Sequence, residues 1–216
     1  MKKAASGPML ESMPADLIAQ AREALPPDLY QQASYVIVRP LWSLFGRVFR
    51  VYTADGRLAF FVRRPLFRIR DRLILFADED ETIPVLEIRN RSLLSLNMCH
   101  DVLDALTGLR LGSVRTRGLS WMWRDTWDVL DPDDRVCGTM QEDTLSLVRR
   151  FLRFWPGRHH VEIGGELVAL LIQQFRIFRK VFSLQLLPAS QNVDARFVIA
   201  CALVAVMADV RRESNG

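Results

Sequence analysis

The twelve residues from Phe197 to Ala208 carry no polar side chain. Such a segment is apolar on every side as a helix, and a helix of that kind has to be enclosed. It is too short to cross a bilayer, which takes about twenty apolar residues. Asp194 stands where an N-cap is needed, and Arg211 and Arg212 follow the last apolar turn, where the helix dipole favours cations. Protein must therefore surround this helix, with Phe197, Cys201 and Val204 in its core and Asp194 and Asp209 at its limits.

The preceding chain supplies the wall. Five polar turns recur: Thr53–Arg57, Ala77–Glu81, Asp104–Gly108, Asp131–Arg135 and Glu162–Glu166. Asp55-Gly56 and Gly164-Gly165 tolerate positive φ and suit tight hairpins, and Asp131-Pro132 favours a type I turn. The lead acids Asp55, Asp78, Asp104 and Asp131 are spaced by 23, 26 and 27 positions, the length of a two-strand hairpin with its connection. Between turns the apolar residues alternate. Leu58, Phe60 and Val62 share one parity, as do Trp121, Trp123, Trp127 and Val129, and Phe182, Leu184 and Leu186. Leu167 to Ile172 is apolar on both faces and is expected to be covered on both. Five hairpins make at least ten strands, and a sheet of that size curls or closes. The fold expected is mainly β: a closed antiparallel β-barrel around a buried C-terminal α-helix.

Half of the 216 residues are hydrophobic, enough for a sizeable core. Residues 1–33 are read as a disordered leader and a short accessory helix from Pro14 to Leu25, residues 34–212 as the barrel domain, and 213–216 as a tail. Leu17, Ile18, Ala21 and Leu25 would pack that helix on the domain. No apolar stretch of signal-peptide length follows Met1-Lys2-Lys3. Cys99, Cys137 and Cys201 are widely spaced and odd in number, so neither a disulfide framework nor a zinc site is expected, and a reducing, cytoplasmic setting fits.

The series of strand, Asp-bearing turn and strand, ending in the run from Asp194 to Asp209, resembles the LURP-one-related group. That group shares its fold with the tubby C-terminal domain and the phospholipid scramblases. The resemblance covers roughly residues 34–212. It implies a twelve-stranded closed barrel around a central helix and a non-enzymatic, membrane-lipid-associated role. Tubby domains bind phosphoinositides through basic residues, and scramblases are linked to calcium-dependent lipid movement. This chain lacks the proline-rich N-terminus and cysteine cluster of scramblases. Its Gln191-Asn192-Val193-Asp194 is poor in the acidic ligands of a calcium loop. Scrambling and calcium dependence are not carried over.

Of the 29 basic residues, 26 are arginine, and the net charge is +4. Two segments interleave arginine with aromatics: Arg39–Arg72, which holds Arg63, Arg64, Arg68 and Arg70, and Leu147–Arg158, which holds Arg149, Arg150, Arg153 and Arg158. That mixture suits an anionic membrane surface, where each basic residue contributes on the order of 1 kcal/mol and rings seat among headgroups. These eight arginines are the expected anionic-lipid contacts, although arginines on outward strand positions over an aromatic core give the same pattern. Protein is the alternative partner, through Trp121, Trp123 and Trp155 or the N-terminal helix. Nucleic acid is disfavoured, because no recognised motif appears and residues 125–143 carry seven acidic side chains. The acidic clusters Asp78–Glu81 and Asp131, Asp133, Asp134 read as solvated turns, with no metal or cofactor. His159-His160 reads as a loop pair, and His100 has no assignable partner. No catalytic set is apparent.

Overall fold

The computed structural model describes residues 14–40, 47–64, 72–91, 98–117, 126–142, 157–174 and 179–214. After helix α1 (Ala15–Glu23) come strands β1 (Ser34–Pro40), β2 (Arg47–Thr53), β3 (Leu58–Arg64), β4 (Arg72–Phe76), β5 (Pro84–Asn90) and β6 (Cys99–Asp104). They continue as β7 (Arg110–Thr116), β8 (Thr126–Leu130), β9 (Val136–Glu142), β10 (Arg158–Ile163), β11 (Glu166–Gln174) and β12 (Arg179–Leu186). A 3₁₀ turn (Pro188–Asn192) then leads into helix α2 (Ala195–Ser214).

Each strand pairs antiparallel with its sequence neighbours, and β1 pairs with β12, Tyr35 opposite Leu184, to close the barrel. Closure leaves no unpaired edge. All five expected turns occur as written. Gly164 and Gly165 both adopt positive φ (65° and 82°), the conformation a two-residue hairpin requires.

Strand parity sends Phe49, Val51, Phe60, Val62, Leu75, Leu86, Ile88, Val114, Val129, Met140, Val161, Leu171, Phe182 and Leu184 into one buried core. In the same core lies α2, with Val198 to Leu203 and Ala205 to Val206 fully covered. The strands that meet it stand on opposite sides of the wall. A Cβ built on Gly112 of β7 would lie 2.6 Å from the Phe197 ring, and α2 also packs on β12. The helix therefore runs along the lumen, about 30 Å for its twenty residues. Burial pushes the Cys201 thiol above its ordinary range, so it packs as a small hydrophobe.

Three local expectations are corrected. Of the residues expected to pack α1 on the domain, Leu17 is 49% exposed, Ala21 is half-buried and Leu25 touches the core, while the Ile18 side chain lies outside the description. Leu167 is 38% exposed, so β11 is covered fully only on its lumen side. His159 and His160 belong to β10: the parity of Val161 continues through His159, which points inward and is buried, while His160 faces out.

The start of α2 is fixed by a polar knot. Asp194 accepts the Arg196 backbone N–H at 2.9 Å, and the Arg196 guanidinium reaches across to buried Asp104 at 2.8 Å. Burial alone would raise the Asp104 carboxyl. Arg196 and the amide N–H groups of Thr107 and Leu106 outweigh it and hold the group below its usual value. An Asp lowered in the folded state stabilises fully above its unfolded pKa of about 3.9, and that contribution is lost as pH falls through the folded value. Melting temperature is therefore expected to fall below about pH 4. Asp104→Asn should reduce stability at neutral pH and flatten that acid limb. Thermal melts across the acid range check this, and an unchanged limb in the variant would contradict it.

A cationic rim and an acidic pole

The antiparallel meander gives the barrel two ends of different chemistry. At one end β2, β3, β4, β10 and β12 begin or finish on a basic residue, and β1, β5 and β7 carry one at the last position but one. These are Arg39, Arg47, Arg63, Arg64, Arg72, Arg89, Arg115, Arg158, Arg179 and Lys180, with Arg91 and Arg117 one residue beyond β5 and β7. Among the described strand ends there, the carboxylate is Glu142, which is buried. α2 also runs toward this end, since Asp209 stands 3.7 Å from His159 near the start of β10. Its next turn carries Arg211 and Arg212.

The other end is acidic. Its turns carry Asp55, Asp78, Glu79, Asp80, Glu81, Asp131, Asp133 and Asp134, and it also holds Asp104, Glu166, Asp194 and the N-terminal arm with Asp28. Arg57 clamps that arm by binding Asp28 and Asp55, each at 2.7 Å. Tyr30 stacks on Phe60 at 5.0 Å and closes the lumen from this side.

Of the eight arginines expected to contact lipid, Arg68, Arg70, Arg149, Arg150 and Arg153 lie outside the described residues. The strands that flank their segments, β3 and β4, and β9 and β10, have the flanking ends at the cationic rim. Arg64 ends β3 at that rim, and its side chain is not described. Arg63 is engaged elsewhere. It pairs with Glu81 at 3.0 Å and lies over the Phe61 ring at 5.4 Å, with Arg50 at 5.4 Å from the same ring and bound to Glu79. The Ala77–Ile83 turn thus folds back on the outer wall and boxes Phe61, which is 1% exposed. Asp78 braces the turn by accepting the N–H groups of Thr82 and Ile83. The expected solvated cluster is in fact a bracket.

Arg158 is exposed at the first residue of β10, and Arg179 at the first residue of β12. Neither carries an ion pair among the described residues. One strand separates them, a lateral distance of about 10 Å. Sequence reasoning missed Arg179: register sets Arg158 level with Ile172 of β11 and Ser183 of β12, so Arg179 stands four residues further out toward the same end of the barrel. The basic residues of β12, β1 and β2 continue the arc: Arg39 opposes Lys180, and Arg47 follows on β2.

Across β4 to β8 the outer wall is polar and charged. Arg72 and Arg89 share Glu87, Arg115 and Arg117 share Asp128, and Arg91 joins Asp101 and Asp134. Glu87 and Asp128 are nearly covered by these guanidinium groups. A lipid-spanning barrel presents an apolar band outward. Across β4 to β8 the apolar face is the lumen and the charged face is outside. No helix among the described residues is long and apolar enough to cross a membrane.

At the acidic pole a cleft of about 1160 Å³ opens between the N-terminal arm and the approach to α2. Leu25, Pro26, Pro27 and Tyr30 form one wall, Leu187, Pro188 and Val193 the other, with Val85 and Leu106 between them. Its polar rim is Glu23, Gln31, Gln32, Gln191, Asp194 and Arg196. Among the described residues no group of three or more His, Cys, Asp or Glu side chains is placed to hold a metal ion. Trp121, Trp123 and Trp155, the expected protein contacts, lie outside the described residues.

No protein-family model matches the chain, and no curated protein matches it. An X-ray structure of a protein from Arabidopsis thaliana aligns with it at a TM-score of 0.49 and 23% identity, covering 85% of this chain and 96% of that chain.

Proposed function

We propose that this protein is a non-catalytic module, of the tubby-like and scramblase-like kind, that docks on an anionic membrane surface through its cationic rim. The observation that carries the reading is the polarity of the barrel: strand-end arginines gather at one end, acidic turns at the other. An anionic bilayer attracts such a rim and repels the opposite pole, so the charge pattern orients the molecule as well as attracting it. The six connections at the rim supply, in sequence, the apolar and aromatic side chains suited to headgroup depth, among them Trp42, Phe67, Trp121, Trp155 and Phe175. A peripheral site on the cytoplasmic face of a membrane fits both features.

Flotation with liposomes tests the reading. Vesicles rich in phosphatidylserine should recover the protein and neutral vesicles should not, with recovery falling as salt rises. Arg158→Glu with Arg179→Glu removes two positive charges, adds two negative ones and breaks no ion pair seen among the described residues. At about 1 kcal/mol per charge, partitioning should drop at least thirtyfold while the melting temperature holds. Arg63→Ala should behave in the opposite way, losing about 1 kcal/mol of stability and little binding. Equal recovery on neutral and anionic vesicles would overturn the proposal.

A further inference from the structure

The acidic-pole cleft is built from parts that sequence separates widely; its walls are largely apolar, and its charged lining residues are Glu23, Asp194 and Arg196. Its one cation, the Arg196 guanidinium, is already shared between Asp104 and Asp194. Glu23 carries no ion pair among the described residues. That leaves Glu23 as the charge open to an occupant, so a segment that pairs apolar side chains with positive charge fits the cleft.

The chain contains such a segment, tethered beside the cleft. Residues 1–13 lie outside the described residues and lead directly into α1, whose last residue, Glu23, lines the cleft. They carry Pro8, Met9, Leu10 and Met13 as an apolar group and Lys2 and Lys3 as a basic one. Reach is ample. α1 spans about 14 Å, and thirteen extended residues span about 43 Å, so the leader can return along α1 with most of its length to spare. Tethering also raises its effective concentration at the cleft above that of a separate molecule.

We propose that the cleft is the docking site of the chain's own leader, with Met9 and Leu10 against the Leu25–Tyr30 and Leu187–Val193 walls and Lys2 and Lys3 near Glu23 and Asp194. The leader then covers the apolar face of the acidic pole and competes with any partner peptide of the same basic and apolar character.

Hydrogen exchange on the full chain, without vesicles, tests this independently of what the cationic rim binds. Amides of residues 24–33 and 187–193 should exchange about tenfold faster in Met9→Asp/Leu10→Asp and in Lys2→Glu/Lys3→Glu than in the unaltered protein. Those of β1, β11 and β12 should not change. A synthetic peptide of residues 1–13 added to the Met9→Asp/Leu10→Asp protein should restore the protection. Identical exchange in all three proteins would overturn the proposal. So would protection that rises with protein concentration, which would place a second copy in the cleft, or faster exchange spread over the whole barrel.

Discussion

Cys201→Asp is expected to leave no folded protein. Cys201 is the seventh of the twenty residues of α2 and is fully covered. Its neighbours Ala200, Ala202, Leu203 and Val204 provide no cation and no side-chain donor. An isolated carboxylate there either stays charged without compensation or takes up a proton and remains buried without a partner. Either outcome costs about 5 kcal/mol or more, comparable to the whole stability of a domain, roughly 5–15 kcal/mol. Cys201→Ser keeps the volume and adds only a hydroxyl, so a loss of about 1–3 kcal/mol is expected. Circular dichroism and thermal melts separate these outcomes. A Cys201→Asp protein that melts like the parent would mean that α2 is not enclosed.

The second large effect lies in the wall. A Cβ at Gly138 of β9 would stand 2.0 Å from the carbonyl oxygen of Glu162 and 3.0 Å from the Cα of Ile163. Both obstacles are backbone of the neighbouring strand, and the pairing there is already irregular, with a register shift between Val161 and Glu162 where β10 meets β11. Only separation of β9 from β10 relieves such a contact. Gly138→Ala is therefore expected to cost about 3 kcal/mol or more, and Gly138→Val more again. At this chain length that is a fall of about 10 °C in melting temperature. Gly56 and Gly108, with nothing within 4 Å of a built Cβ, should tolerate alanine much better. Their remaining cost is positive φ, about 1 kcal/mol each. Equal losses at Gly138 and Gly56 would contradict the close approach of β9 and β10.

The barrel was legible because its signals are local. Asp55-Gly56 and Gly164-Gly165 announce turns on their own, and the run from Phe197 to Ala208 demands an enclosure whatever precedes it. Parity placed Phe60, Val62, Phe182 and Leu184 correctly for the same reason. What escaped sequence reasoning depends on register. Arg63 looked like a free surface charge, yet Glu81, eighteen positions away, folds over the wall to meet it. Asp104 looked like a turn residue, but its partner Arg196 is ninety-two positions distant. The cleft brings residues 23–33 against residues 186–196, and no periodicity reports such a meeting. His159 was misread because the pair of histidines follows a long basic segment, although alternation with Val161 marks it as an inward strand residue.

The charge polarity had a signal that can be read in retrospect. Acidic turns alternate with connections that carry or are flanked by arginine. In an antiparallel meander every second connection falls on the same end, so that alternation in sequence becomes segregation in space. The described ends of the strands that flank the two basic segments, Arg64 and Arg72, and Glu142 and Arg158, stand at the same end of the barrel.

The orientation of the bound protein tests the central claim most directly. A fluorophore placed at the rim through Gln174→Cys, or at the acidic pole through Asp133→Cys, each in a Cys137→Ser background, reports proximity to a quencher carried on phosphatidylserine vesicles. The account predicts strong quenching from position 174 and almost none from position 133, with both signals lost at high salt. Quenching that is equal at the two positions, or stronger at 133, would contradict it.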